Sequence, residues 1–191
     1  MNHMAPIFLS ADLLKSGLPL RDVLRHCLAS GPWQQVLPGV VLQKPSPPTR
    51  LDRLRAVLFF VGPDSVITGA DALSRQGAQL PLPRHIHVLA GKNMRRSHPW
   101  ILLERTNRLP TVVERNGLRL APPARAALDL ARRSTNPRAV VEILDAVTDA
   151  RLCSPGDLHE ELERSCRRGT ALVRQALRHL YPVAVPPVAP A

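Results

Sequence analysis

Apolar residues recur along this chain in two rhythms, three-to-four spacing over long segments and alternation over short ones. Leu20, Val23, Leu24, Cys27 and Leu28 mark a helix with one apolar face, leaving Arg21, Arg25 and His26 toward the other side. A shorter helix over Ala11–Ser16 precedes it, with Ser10 as its cap, Asp12 at the positive dipole end and Gly17 as its stop. Pro19 suits the first turn of the second helix, and Gly31-Pro32 ends it. Trp33 to Leu42 reads as two short strands around Pro38-Gly39. Thr49 caps a third helix to about Val61, with Leu51, Leu54, Val57, Leu58 and Val61 inward and Arg50, Arg53 and Arg55 outward.

Ser65–Ile67 is a short strand, and a helix from Thr68 or Gly69 runs to Arg75. Two strands follow, His85–Leu89 and Ile101–Arg105, joined by a basic loop. Val112–Glu114 and Leu118–Leu120 flank Asn116-Gly117 as a hairpin. Four helices close the chain: Ala124–Arg133, Pro137–Ala150, one capped by Ser154 and reaching about Cys166, and Thr170–Leu180, with a loose tail from Tyr181. The fold class is α+β, a small sheet with helices between helical ends. The expected division is 1–44, 45–121 (an α/β middle region, begun by the Pro-rich link Gln43–Pro48), a helical 122–181, and a tail 182–191.

Two short helices joined through glycine and followed by a hairpin form the outline of a winged helix-turn-helix, in which the second helix enters the DNA major groove. The same outline also serves as a plain helical subdomain with solvated arginines. Composition bears on the choice: 191 residues carry a formal net charge of +11, a sign that suits a polyanionic partner, nucleic acid or an acidic protein surface. The basic residues are nearly all arginine, which favours bidentate phosphate and guanine contacts and is equally a product of GC-rich coding. Aromatics are only 3%, so the core is built from Leu, Val, Ile and Ala. Cys27, Cys153 and Cys166 are widely spaced, which fits a reducing cytoplasm rather than a zinc or disulfide framework. No apolar run is long enough to span a membrane, and the N-terminus lacks the marks of a secretory signal.

Candidate chemistry is sparse. His85 and His87, two apart on a strand, would share a face, with His98 as a third metal ligand, but an ordinary surface strand explains them better. Glu142, Asp145 and Asp149 share a helical face bracketed by Arg138 and Arg151, which reads as a solvated ion-paired surface. Neither a nuclease Glu-x-Lys element nor a nucleophile elbow or phosphate loop occurs. The expectation is a non-enzymatic protein with no cofactor and no metal. Lys92, Arg95 and Arg96 in the basic loop are auxiliary phosphate contacts, contacts to an acidic partner, or merely solubilising. Arg132, Arg133, Arg164, Arg167 and Arg168 read as solvated helix ends.

The strings LLKSGL (13–18), RDVLRHCLASGPWQQVLPGVV (21–41), RLRAVL (53–58), GPDSVITGADALSRQG (62–77), IHVL (86–89) and GLRLAPPARAALDLA (117–131), in this order, resemble the AbiEi-like antitoxins of type IV toxin–antitoxin systems, in particular their actinobacterial branch. The resemblance implies a promoter-binding winged helix-turn-helix at the N-terminus and a C-terminal part that neutralises a nucleotidyltransferase-like toxin. Many relatives continue into a very-short-patch-repair-like endonuclease domain, and this sequence reaches Ala191 without one. The leading expectation is a cytoplasmic autorepressor that binds double-stranded DNA. Arg21 and Arg25 would lie on its recognition helix with Lys15 and His26 beside them, and Gln34, Gln35 and Lys44 at the wing. The alternatives are a module that binds a toxin partner, and the non-catalytic leader of a lost endonuclease.

Overall fold

A computed structural model describes residues 6–165 and 168–182. The chain forms two compact units interleaved in sequence: one takes the described residues to Ile67 and Arg84–Leu120, the other Thr68–Pro83 and the described residues from Ala121 on.

The first unit opens with a strand that the rhythm of the sequence does not reveal, β1 (Ile7–Leu9), which runs straight into α1 (Ser10–Lys15). Leu9 pairs with Val40, so the cap position falls on Leu9, which has no side chain to offer. Ser10 is therefore a helical residue rather than the expected cap, its N–H donating to the Gly39 carbonyl at 2.8 Å. Gly17 turns the chain at φ +92°, a conformation glycine adopts without steric cost. Pro19 caps α2 (Leu20–His26) from outside instead of opening its first turn. The hairpin of β2 (Gln34–Leu37) and β3 (Val40–Leu42) turns at Gly39, φ +73°, and β3 lies between β1 and β2 in an antiparallel sheet. Leu13, Val23 and Val41 form a small core with Phe8, Leu18, Cys27 and Trp33 against it. By strand alternation Val40 and Leu42 point the other way, where both are fully buried.

The next helix, α3 (Arg50–Val61), packs against this sheet. Thr49 caps it in a reciprocal box with Asp52: the Thr49 hydroxyl accepts from the Asp52 N–H, and the Asp52 carboxylate accepts from the Thr49 N–H at 2.9 Å. Arg55, expected outward, is buried and donates to the Asn116 carbonyl at 3.0 Å. The second sheet has the order β6-β5-β4-β8-β7, from β4 (Val66–Ile67), β5 (Ile86–Gly91), β6 (Ile101–Thr106), β7 (Val113–Arg115) and β8 (Leu118–Leu120). β5 and β6 are parallel despite the short basic loop between them, and β7 and β8 turn at Asn116-Gly117 with both residues at positive φ.

The second unit is helical: α4 (Gly69–Gln76), α5 (Pro123–Ala131), α6 (Pro137–Asp149), α7 (Pro155–Arg164) and α8 (Ala171–Leu180). Leu144, Val147, Leu158, Val173 and Leu177 are fully buried in its core. A charged network is buried as well. Asp129 receives Arg125 Nε at 2.9 Å on both carboxylate oxygens and the Thr68 hydroxyl at 2.8 Å, and Arg132 lies at 3.1 Å. Arg125 also approaches Glu161 at 3.5 Å. Arg132 is thus a network member, not a solvated helix end. Tyr181, placed in the loose tail by the sequence, donates to Asp145 at 2.9 Å and lies 2.9 Å from the Thr148 hydroxyl. Cys166, Arg167 and most of the expected tail lie outside the described residues.

Candidate nucleic-acid interface

α2 and its C-terminal Cys27 rest on the small core through Val23 and Cys27, one turn apart, and Leu20, Arg21, Leu24 and Arg25 are exposed. Arg21 and Arg25, also one turn apart, project from the open side; Arg25 makes only a local bond to Asp22 at 2.9 Å and keeps 69% of its side chain exposed. A surface pair of this kind contributes little to stability and yields readily to another anion. Lys15 is similarly exposed, 3.6 Å from Asp12.

The other candidate residues are less available. His26 is turned back on Trp33, with ring centroids 4.4 Å apart and a buried Nδ1. The Gln34 amide donates to the Lys44 carbonyl at 3.0 Å and to the Ser46 carbonyl, closing the base of the hairpin. The Lys44 ammonium binds the Asp52 carboxylate at 3.1 Å. Burial raises the Asp52 pKa, but the Thr49 hydrogen bonds and the Lys44 charge outweigh it and hold the carboxyl below its ordinary value. Gln35 is exposed on the hairpin.

In the basic loop, Lys92 and Arg95 are exposed. Arg96 instead donates to the Phe60 carbonyl, its guanidinium 5.5 Å from the Phe60 ring centre. The histidines do not converge as a metal face. His85 precedes the strand and is exposed, whereas His87 is buried with Nε2 3.1 Å from Glu104, and the His98 ring packs on Trp100. Among the described residues no three His, Cys, Asp or Glu side chains gather in a way that could hold a metal ion. Nor do Arg138 or Arg151 form an ion pair with the α6 carboxylates among those residues; Asp145 serves Tyr181 instead. No helix among the described residues is long and apolar enough to cross a membrane.

One feature of this surface contradicts the apolar face assigned to α2. Leu20, Leu24 and Leu28 are 55%, 57% and 61% exposed, and Leu14 on α1 is 41% exposed. Spacing correctly groups them, but only Val23 and Cys27 of that set meet the core. A two-turn helix lying on one small sheet leaves the flank of its apolar arc uncovered.

A mixed fold of two sheets and eight helices among the described residues has a solved counterpart. The crystal structure of the RV2827C protein from Mycobacterium tuberculosis matches with a TM-score of 0.58 and 16% identity, over 89% of this chain and 72% of that one. At that identity the likeness concerns the fold alone. No curated protein matches the sequence. Residues 65–183, more than half of the chain, match the family model of the AbiEi antitoxin C-terminal domain. The chain belongs to the AbiEi antitoxin family, and so takes the antitoxin side of a toxin–antitoxin system.

Proposed function

We propose that this protein is a DNA-binding antitoxin that represses its own promoter in the cytoplasm and does no chemistry of its own. In this reading β1, α1, α2 and the β2–β3 hairpin are a winged helix-turn-helix, and α2 lies in the major groove. The observation that carries it is the placement of Arg21 and Arg25 on the side of α2 away from its core, with no tie among the described residues beyond a local surface pair. Guanidinium groups so placed suit guanine edges and phosphates. Lys15, Gln35, Lys92 and Arg95 supply backbone contacts, while Gln34, Lys44 and His26 hold the module's shape and Arg96 anchors its loop.

The test is a gel shift with the duplex immediately upstream of the coding sequence. An arginine at a base edge contributes about 1–3 kcal/mol, so Arg21→Ala/Arg25→Ala should weaken specific binding at least tenfold and lower its salt dependence. Unchanged binding by that variant refutes the reading.

A second reading is favoured by the extent of the family match, which begins at residue 65 and leaves the α1–α2 module outside it. In it, residues 49–180 engage a nucleotidyltransferase-like toxin of a type IV system. Co-purification with the adjacent gene product supports this second role, and its absence argues for neutralisation without a stable complex.

A further inference from the structure

We infer that Leu20, Leu24 and Leu28 read thymine methyl groups beside the guanine contacts of Arg21 and Arg25, an inference that rests on the DNA-binding reading above. Successive helical residues are about 100° apart, so Leu20, Leu24, Arg21 and Arg25 fall in that angular order within one outward arc of α2, and Leu28 follows two residues past its last turn. Whatever covers the leucines must therefore also accept two guanidinium groups. All three leucines are more than half exposed, and neighbouring exposed leucines, unlike a lone one, make an apolar patch of the kind that marks a contact surface.

The major-groove floor offers what this arc requires. Guanine O6 and N7 accept from arginine, and the thymine C5-methyl is the apolar group a base pair presents there. The overall charge of +11 favours a polyanion as the occupant of a leucine surface bordered by arginines. Each methyl covered by a leucine leaves water, so the same helix can tell thymine from cytosine and from uracil without a hydrogen bond.

The experiment uses the full chain and the duplex upstream of its coding sequence, footprinted and then prepared with deoxyuridine in place of thymine. Burial of one methyl corresponds to about fourfold in affinity, so the deoxyuridine duplex should bind about fourfold more weakly for each methyl covered. Leu24→Ser changes an exposed side chain and should reduce this thymine preference. Arg25→Gln should weaken both duplexes alike and keep their ratio. Equal binding of the two duplexes by the native chain overturns the inference while leaving the DNA reading intact. So does a footprint without thymines, or a Leu24→Ser variant that keeps the full ratio while losing a co-purifying protein partner. If no upstream duplex is bound at all, the DNA reading fails and the methyl readout with it.

Discussion

Replacing Asp129 by asparagine keeps the shape of the side chain and removes one charge from a site 1% exposed to solvent. The native carboxylate is shared by the Thr68 hydroxyl, both contacts from Arg125 Nε, and Arg132. In the variant Arg125, also buried, keeps Glu161 at 3.5 Å but faces a neutral amide that can accept on only one of its two terminal atoms. Removing one member of a buried ion pair typically costs about 3–5 kcal/mol, and the remaining Glu161 places the expectation at about 3. For a chain of this length that loss lowers the melting temperature by about 10 °C. Urea and thermal unfolding followed by far-ultraviolet circular dichroism measure it, with the exposed Glu142→Gln as a control expected to stay within about 0.5 kcal/mol. An Asp129→Asn loss below about 1 kcal/mol would refute the assignment of an enclosed network. The double variant Arg125→Met/Asp129→Leu provides a second check: with neither charge left buried, it should recover much of the loss.

Asp52 has a folded pKa below its ordinary value of 3.8, so its stabilising contribution is fully present above that value and is lost as pH falls through the folded value. Asp52→Asn should accordingly cost about 1 kcal/mol at pH 7 through the broken capping box, with the difference from the native chain shrinking as the pH falls below 3.8. The Cys153 thiol, pushed up to about 11 by burial and by the charge of Asp157, should alkylate slowly at pH 8 and faster after unfolding, as peptide mass spectrometry would report. Leu144→Ala, at a fully buried position of α6, should cost about 2–5 kcal/mol in the same unfolding assay, whereas Leu24→Ala, mostly in water already, should cost under about 1.

Periodicity located the helices well because each has at least one flank against a core, and capping chemistry was legible at Thr49 and Ser154, where the side chain and the Asp three residues on act together. What spacing cannot tell is whether anything covers the face it defines. Leu20, Leu24 and Leu28 obey the helical rhythm as faithfully as Leu51, Leu54 and Leu58, but α3 lies on a sheet and the flank of α2 is left exposed among the described residues. The rhythm also sends every charge outward, and it therefore misplaced Arg55, Arg132 and His87. A charged group is tolerated inside only where partners converge on it, and some of those partners are distant in sequence: Thr68 and Asp129 are 61 residues apart, Arg55 and Asn116 also 61, although Arg132 and Asp129 are only three apart. No local pattern records such a meeting. A signal was nonetheless present in the strings quoted for the family resemblance. VITGADALS and PARAALDLA each set two or three polar or charged residues among small apolar ones, fewer than a solvated helix would carry. Thr68 with Asp71 in one and an Arg-Asp pair four apart in the other are polar groups set among buried positions, and Thr68, Arg125 and Asp129 satisfy one another there. The proposed binding surface would work by the opposite rule: among the described residues no opposite charge beyond Asp22, which pairs with Arg25, comes to meet Arg21 and Arg25, and both stay outward.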